Sequence, residues 1–328
     1  MYYLIGTSLL LTFMLAVATA SASVLSLTWK LCRILLTRLR PETRARVAFM
    51  FRVTPVVIAS TVGLAFIVPS FVLYEPNDSG ERVGLKLSII IAIAAFGITA
   101  AGYRIFASWW RTRRLLGEWT IGAMPIAIDG VDIPILKLRH EFPVFAVVGI
   151  FRPRLFIAEH VLETLDDQEL AAVLRHELGH ITALDNLKRL AMKLCGDLMV
   201  APIGRDLDLD WSEAAEAAAD EYAVAAGDRN TALSLAGALI KIARIIPATP
   251  PPMPAVSYAY VDTGEMLAGR IRRLIQLADR YEPRSARQIP MLVPASLLAV
   301  WMIAVFATDG AFLARIHSLS ELVIALLQ

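Results

Sequence analysis

The segment His176-Glu177-Leu178-Gly179-His180 has the spacing H-E-x-x-H. On a helix, residues four apart stand on one face, so both imidazoles can reach one metal ion. Glu177 is offset from them by one residue, close enough to hold a water rather than the metal. This pattern predicts a zinc hydrolase. Zinc lowers the pKa of bound water to about 7 and polarises a carbonyl, while the glutamate takes the proton as general base. A catalytic zinc keeps three protein ligands and one open position, so the third ligand must come from elsewhere in the chain.

The stretch WSEAAEAAADEYAVAAG offers Glu213, Glu216, Asp220 and Glu221. Glu216 and Asp220 share a helix face at i, i+4. Such a pair suits one carboxylate on the metal and a second that hydrogen-bonds a ligand histidine and fixes its tautomer. Glu216 is the expected ligand and Glu213 the alternative. Taken alone, the stretch would read as a solvated acidic helix; the incomplete H-E-x-x-H gives it a role. His140, His160 and His317 read as surface or interfacial residues. Asp185, five residues after His180, reads as a helix end.

The elements that must position these groups can be followed along the chain. Asp166 with Glu169 three residues on is an acidic analogue of a capping box and starts the motif's helix. Leu170, Val173, Leu174, Leu178 and Ile181 give that helix an apolar stripe, and Gly179 lets another backbone approach. Val144–Ile150 and Arg154–Ala158 read as strands around Phe151-Arg152-Pro153, both at a sheet edge, where an extended peptide substrate could add as a further strand. Helices are expected over Leu190–Val200, Ser212–Ala226, Thr231–Ile246 and Glu265–Arg280. Five prolines between Pro247 and Pro254 make a loop that could serve as a lid or a linker.

Composition places this machinery at a membrane. Hydrophobic residues make up 57% of the 328 and charged residues 19%, against about 45–50% and about 25% in soluble domains. Uncharged or nearly uncharged runs cover Met1–Trp29, Val53–Tyr74, Leu87–Trp110 and Ile289–Thr308, each long enough to span a bilayer. The first lacks the basic start of a signal peptide and is expected to be retained. Six basic residues between Lys30 and Arg46 face one acid, Glu42, and Arg111, Arg113 and Arg114 follow the third run. Basic flanks stay in the cytoplasm, so the N-terminus is expected outside and the catalytic part inside. The net charge of +2 conceals this asymmetry, and because each basic cluster abuts a long apolar run, direct nucleic-acid binding is not expected. Cys32 and Cys195 are expected to be reduced thiols.

The fold class that follows is an α-helical multi-span membrane protein with a cytoplasmic zincin-like α+β domain. Residues 1–110 would hold three spans and the basic loop 30–46, residues 111–288 the peptidase domain, residues 289–308 the fourth span and 309–328 a short external or interfacial tail. The helix bearing H-E-x-x-H is too polar to lie in lipid, because Asp166, Asp167, Glu169 and Arg175 accompany it.

The stretch PVFAVVGIFRPRLFIAEHVLETLDDQELAAVLRHELGHITALDNL resembles the core of the BlaR/MecR-type antirepressor metallopeptidases. The matching residues are Gly149, Phe151, Arg152, Pro153, H-E-L-G-H and Asp185. EAAAD matches that family's downstream E-x-x-x-D, which implies Glu216 as zinc ligand and Asp220 as its support; Arg270-Ile271 is also similar. The resemblance covers roughly residues 120–280 and the arrangement of spans. About twenty residues follow Thr308, so the family's penicillin-binding sensor domain is not expected, nor is beta-lactam sensing. The HELGHI core also resembles the HtpX and CAAX-processing proteases.

These features predict a zinc-dependent endopeptidase at a bacterial-type inner or plasma membrane. Its partners would be the lipid bilayer and a protein or peptide substrate: a transcriptional repressor, the chain itself or a membrane protein. The alternatives are a quality-control or processing protease of the HtpX/CAAX type, a zinc-binding signal transducer without turnover, and a membrane scaffold with a vestigial motif. Intact Glu177 argues against the last two, since a site kept only for metal has no need of the base.

Overall fold

A computed structural model describes residues 2–74, 85–128, 131–140, 142–199, 203–246, 264–279, 303 and 306–327. The Pro-rich segment 247–254, most of the link 75–86 and almost all of the fourth apolar run lie outside the described residues.

Helix α1 (Tyr2–Leu36) continues past the first apolar run. Trp29 is buried there, and Lys30 and Arg33 reach acids on a later helix, so the start of the charged segment does not end the helix. After a short turn, α2 (Pro41–Thr61) passes through a π-helical stretch, Val62–Ile67, into α3 (Val68–Tyr74). Pro69 lies two residues past that stretch; its missing N–H and its ring, which would meet the carbonyl four residues back, disfavour regular α-helix there. Helix α4 (Leu85–Thr120) carries the third apolar run. Among the described residues, two helices, Leu10–Leu36 and Pro41–Tyr74, are long and apolar enough to cross a membrane. Val24, Leu27 and Leu31 on α1, Leu64 on the π-helical stretch and Ile89, Ile93 and Phe96 on α4 point outward, a burial pattern suited to lipid rather than water.

Four short strands follow: β1 (Met124–Ile126), β2 (Ile135–Leu138), β3 (Phe145–Val148) and β4 (Arg154–Ala158). Their order is β1-β2-β4-β3. β2 and β4 run parallel, while the β1–β2 and β3–β4 pairs are antiparallel. The expectation that both strands before the motif lie at an edge is corrected for β4. It is paired on both sides, and Leu155 to Ala158 are buried at every position, as an interior strand requires. β3 is the edge strand. An Ala158 N–H to Val144 O bond of 2.8 Å sets the alternation, which turns the backbone groups of Phe145 and Val147 toward the free side.

Helices α5 (Glu159–Thr164), α6 (Asp167–Thr182), α7 (Asp185–Asp197), α8 (Arg205–Ala225), α9 (Arg229–Ile245), α10 (Gly264–Asp279) and α11 (Gly310–Leu327) complete the chain. The main core lies between the sheet, α6 and α9, with Phe145, Phe156, Ile157, Val173, Leu235 and Ile242 buried. Each such side chain contributes about 1.5–3 kcal/mol. Helix α6 starts on the expected capping box: Asp166 accepts from the N–H groups of Gln168 and Glu169, and Glu169 accepts from Asp166 N–H at 3.0 Å. It ends at Leu184, which takes the left-handed conformation (φ 57°) and lets the chain turn into α7. Helix α11 packs against α3, where Tyr74 O–H donates to Gly310 O at 2.8 Å and lies beside the His317 ring.

Helix α8 has two halves with different neighbours. Its first half faces α1 and α2. Asp206 meets Lys30 at 3.1 Å, Asp208 meets Arg52 at 2.8 Å and Glu213 meets Arg44 at 3.3 Å. Buried Asp210 accepts from Trp29 Nε1 and Arg33 Nη2, each at 2.7 Å, and from Arg44 Nη2 at 3.4 Å. Its second half faces α6.

Candidate metal centre

Helix α6 places His176 and His180 one turn apart on the face turned to α8. The helices can meet closely because position 179 is glycine: a Cβ there would come within 3.2 Å of Ala219 Cα and of the Tyr222 ring. Ala215 and Ala219 of α8 keep the other side of that contact small and buried. Glu216, one turn before the crossing, then reaches both imidazoles. His176 Nε2 lies 3.4 Å from one Glu216 oxygen and His180 Nε2 lies 3.5 Å from the other. The two Nε2 atoms stand 3.2 Å apart.

The far nitrogen of each ring is held by a carboxylate. His176 Nδ1 is 3.0 Å from Asp220 Oδ1, and His180 Nδ1 is 2.8 Å from Asp185 Oδ2. Each carboxylate favours the tautomer with its proton on Nδ1, which leaves the Nε2 lone pairs facing one another and Glu216. Three lone-pair donors converging in this way suit a cation in the space between them. The spacing fits zinc: tetrahedral ligands about 2.0–2.1 Å from a common centre stand about 3.3 Å apart. His176, His180 and Glu216 also form a group of metal-ligating side chains by proximity, all within 4.8 Å of one another.

Arg270 of α10 closes the network. Its Nη1 lies 3.0 Å from Glu216 Oε2, and its Nη2 and Nε reach the two oxygens of Asp220 at 2.7 and 3.2 Å. This bidentate pair is fully enclosed, with Asp220 and Arg270 both buried. Burial alone would raise the Asp220 pKa, but Arg270 and His176 outweigh it and hold it at about 2. Glu216 is likewise held well below the carboxylate range, by Arg270 and His180 against its burial. Burial would lower the His180 pKa, yet Glu216 and Asp185 push it up to about 10. Without a cation between them, these carboxylates keep protons on the imidazoles.

Glu177 differs from every other acid at the centre. It is buried, and no described residue hydrogen-bonds its carboxylate. Burial pushes its pKa up. A carboxylate with a raised pKa and no fixed partner is suited to take a proton and give it back.

The reserve ligand Glu213 is not at the centre, because Arg44 draws it toward α2, where its side chain is partly exposed. Asp185 is the first residue of α7, as a helix-end reading requires, but it also orients His180. In the sequence Arg270 carries no role beyond its similarity to the antirepressor family. Its signal was positional: Leu267, Arg270, Leu274 and Ala278 share one face of α10, and a cation on an otherwise buried stripe needs buried acids opposite it.

A pair of histidines with a glutamate, set behind a small sheet and beside two helices apolar enough to cross a membrane, suggests a membrane-anchored metallopeptidase. Residues 144–207 match peptidase family M48. The matched stretch runs from β3 through the H-E-x-x-H helix into the first turn of α8. The match supports metallopeptidase activity as a class, and the family is generally zinc-dependent. It does not reach the antirepressor subfamily. No curated protein matches the chain.

Proposed function

We propose that the chain is a zinc-dependent endopeptidase with Glu177 as general base, held at the membrane by its apolar helices and acting on the cytoplasmic side. One observation carries the reading: three lone-pair donors converge at 3.2–3.5 Å beside a buried acid that has no fixed partner. His176, His180 and Glu216 would hold the metal. Zinc, when bound, supplies the Lewis acid that polarises the scissile carbonyl. Asp220 and Asp185 keep the ring nitrogens in the tautomer that donates lone pairs inward, and Arg270 fixes Glu216 and Asp220 against each other. Glu177 takes the proton of the attacking water and returns it to the leaving amine.

The substrate reading is regulatory: a repressor, the chain itself or a membrane protein. The membrane topology is the one expected from the basic flanks, with three spans before the peptidase and a fourth after it. The M48 match favours a second reading, quality control or processing of membrane proteins in the manner of HtpX and CAAX-type proteases, because it rests on the core that resembles theirs. The test uses purified full-length chain with an unfolded protein as substrate, wild type against Glu177→Gln. Cleavage by the wild type alone, at equal zinc content, supports the reading. Cleavage by both removes Glu177 from the mechanism. Fragments recovered from cells with and without active enzyme separate a repressor from membrane-protein substrates.

A further inference from the structure

A second cleft, of about 330 Å³, lies between α2, the later part of α7 and the start of α8. Four cationic side chains line it, Arg52, Arg189, Lys193 and Arg205, against two carboxylates, Asp197 and Asp208. The lining is therefore net positive whichever pairs form. Both carboxylates are already engaged, Asp208 by Arg52 at 2.8 Å and Asp197 by Lys193 at 2.7 Å. Arg205 is exposed and makes no ion pair with a described residue. The guanidinium of Arg189 lies over the Trp211 ring, 5.4 Å from its centroid. Trp211 is buried, and its Nε1–H has no hydrogen-bond partner among the described residues. A buried N–H without an acceptor is costly. With Arg205 outside any ion pair among the described residues and both carboxylates engaged, the cleft has cationic groups to spare for an oxyanion.

Position in the fold says which oxyanion. Arg52 is the last charged residue before the uncharged run 53–74 of the second apolar helix. Its guanidinium sits between two backbones, where a Cβ on Gly196 or Gly204 would come within 2.5 or 2.9 Å of it. Arg104 ends the uncharged run of α4 and lies 3.7 Å from Asp197 on the cleft wall. Two apolar helices thus change from uncharged to charged at this cleft. In a bilayer that is the level of the lipid headgroups.

We propose that the cleft binds the phosphate group of an anionic membrane lipid. Lys193 and Arg205 supply the attraction at its mouth. The proposal is independent of peptidase activity, though it does need α2 and α4 to enter the bilayer.

The test is lipid retention on the purified full-length chain, read by native mass spectrometry from a neutral detergent with phosphatidylglycerol or phosphatidylcholine added. Preferential retention of phosphatidylglycerol is expected. Each cation removed should weaken it by about fivefold, so Lys193→Gln with Arg205→Gln should weaken it by more than tenfold. Because Lys193 also holds Asp197, Arg205→Gln alone is measured beside the double variant; circular dichroism and zinc content check that both are folded. Arg38→Gln with Arg40→Gln, in the exposed turn before α2, should leave retention unchanged. Inorganic phosphate at matched ionic strength should compete weakly. Equal retention of the two lipids, or full retention by folded Arg205→Gln and double variants, overturns the proposal. Phosphate binding as tight as that of phosphatidylglycerol would make the ligand a free anion and overturn the lipid assignment.

Discussion

At the scale of single residues, the roles separate by what each side chain touches. Glu177→Gln should keep zinc and lose cleavage, by about two to four orders of magnitude for the loss of a positioned base. Metal analysis and turnover on one sample decide it. Glu216→Ala should lose the metal. Glu213→Ala should keep it, because Glu213 belongs to Arg44. Asp185→Ala and Asp220→Ala should each weaken zinc binding about 10–100-fold by releasing a ring nitrogen; unchanged affinity in both would show that the rings need no holding. Acidity should act through His180. Its proton is held up to about pH 10 in the absence of metal, so zinc must displace that proton throughout the neutral range. Apparent affinity should therefore keep rising, about tenfold per pH unit for each displaced proton, well above the ordinary histidine pKa. Calorimetry in buffers of different ionisation enthalpy at pH 7 should show protons released; a plateau in affinity above pH 7 would contradict this. The sequence exposed His176, Glu177 and His180 because their spacing is local. It hid the work of Arg270 because its partner Asp220 lies 50 residues away, and that of Asp185 because a five-residue spacing meets His180 only through the turn at Leu184.

Secondary-structure elements explain the next part of that record. The motif helix was legible from its cap and stripe, and α9 and α10 fell within a residue or two of expectation, since each has regular periodicity. Helix α8 starts at Arg205 rather than Ser212. The run RDLDLD looks unfavourable for a helix interior until Lys30, Arg33, Arg44 and Arg52 neutralise its acids. Strands β1 and β2 escaped notice because three and four residues give no readable alternation. The α6–α8 contact yields a prediction at this scale. Gly179→Val should force the helices apart at Ala219 and cost about 1–3 kcal/mol from overpacking, with zinc lost before the fold in a thermal melt followed by metal release. Gly179→Ala should do the same more weakly. If Gly179→Val binds zinc like wild type, close approach of the two backbones is not what sets the centre. Strand β3 carries the other test. Asn186 donates to Val147 O and Gly149 O, each at 3.1 Å, which leaves the Val147 N–H toward the free edge. If substrate adds to that edge, Val147→Pro should raise KM more than it lowers zinc content. An unchanged KM in a folded variant would remove strand addition, and a proline in β4 is expected to disrupt the sheet itself.

The whole molecule adds orientation and anchoring. With the basic flanks inside, a cysteine at Ser79, in the link before α4, should react with an impermeant thiol reagent in intact cells, while one at Gln168 should react only after lysis. The opposite pattern would invert the topology. Hydropathy made the apolar runs legible, but not how firmly they would be tied to the peptidase, because that depends on ion pairs between residues more than a hundred positions apart. Helix α8 shows the result: one continuous rod gives its first half to the membrane helices and its second half to the metal. Excision of residues 111–288 would uncover the first half of α8 and expose Leu207, Trp211 and Ala214, which α1 and α2 bury, as an apolar patch in water. Such a fragment should express poorly and bind zinc weakly; soluble expression with full zinc binding would show that α8 does not need this cover. The peptidase is thus not a cassette that recombination could move to another anchor unchanged. Any ancestor that acquired it must have inherited helix and anchor as a single heritable unit, or have repaired one face of α8 before the enzyme could work in solution.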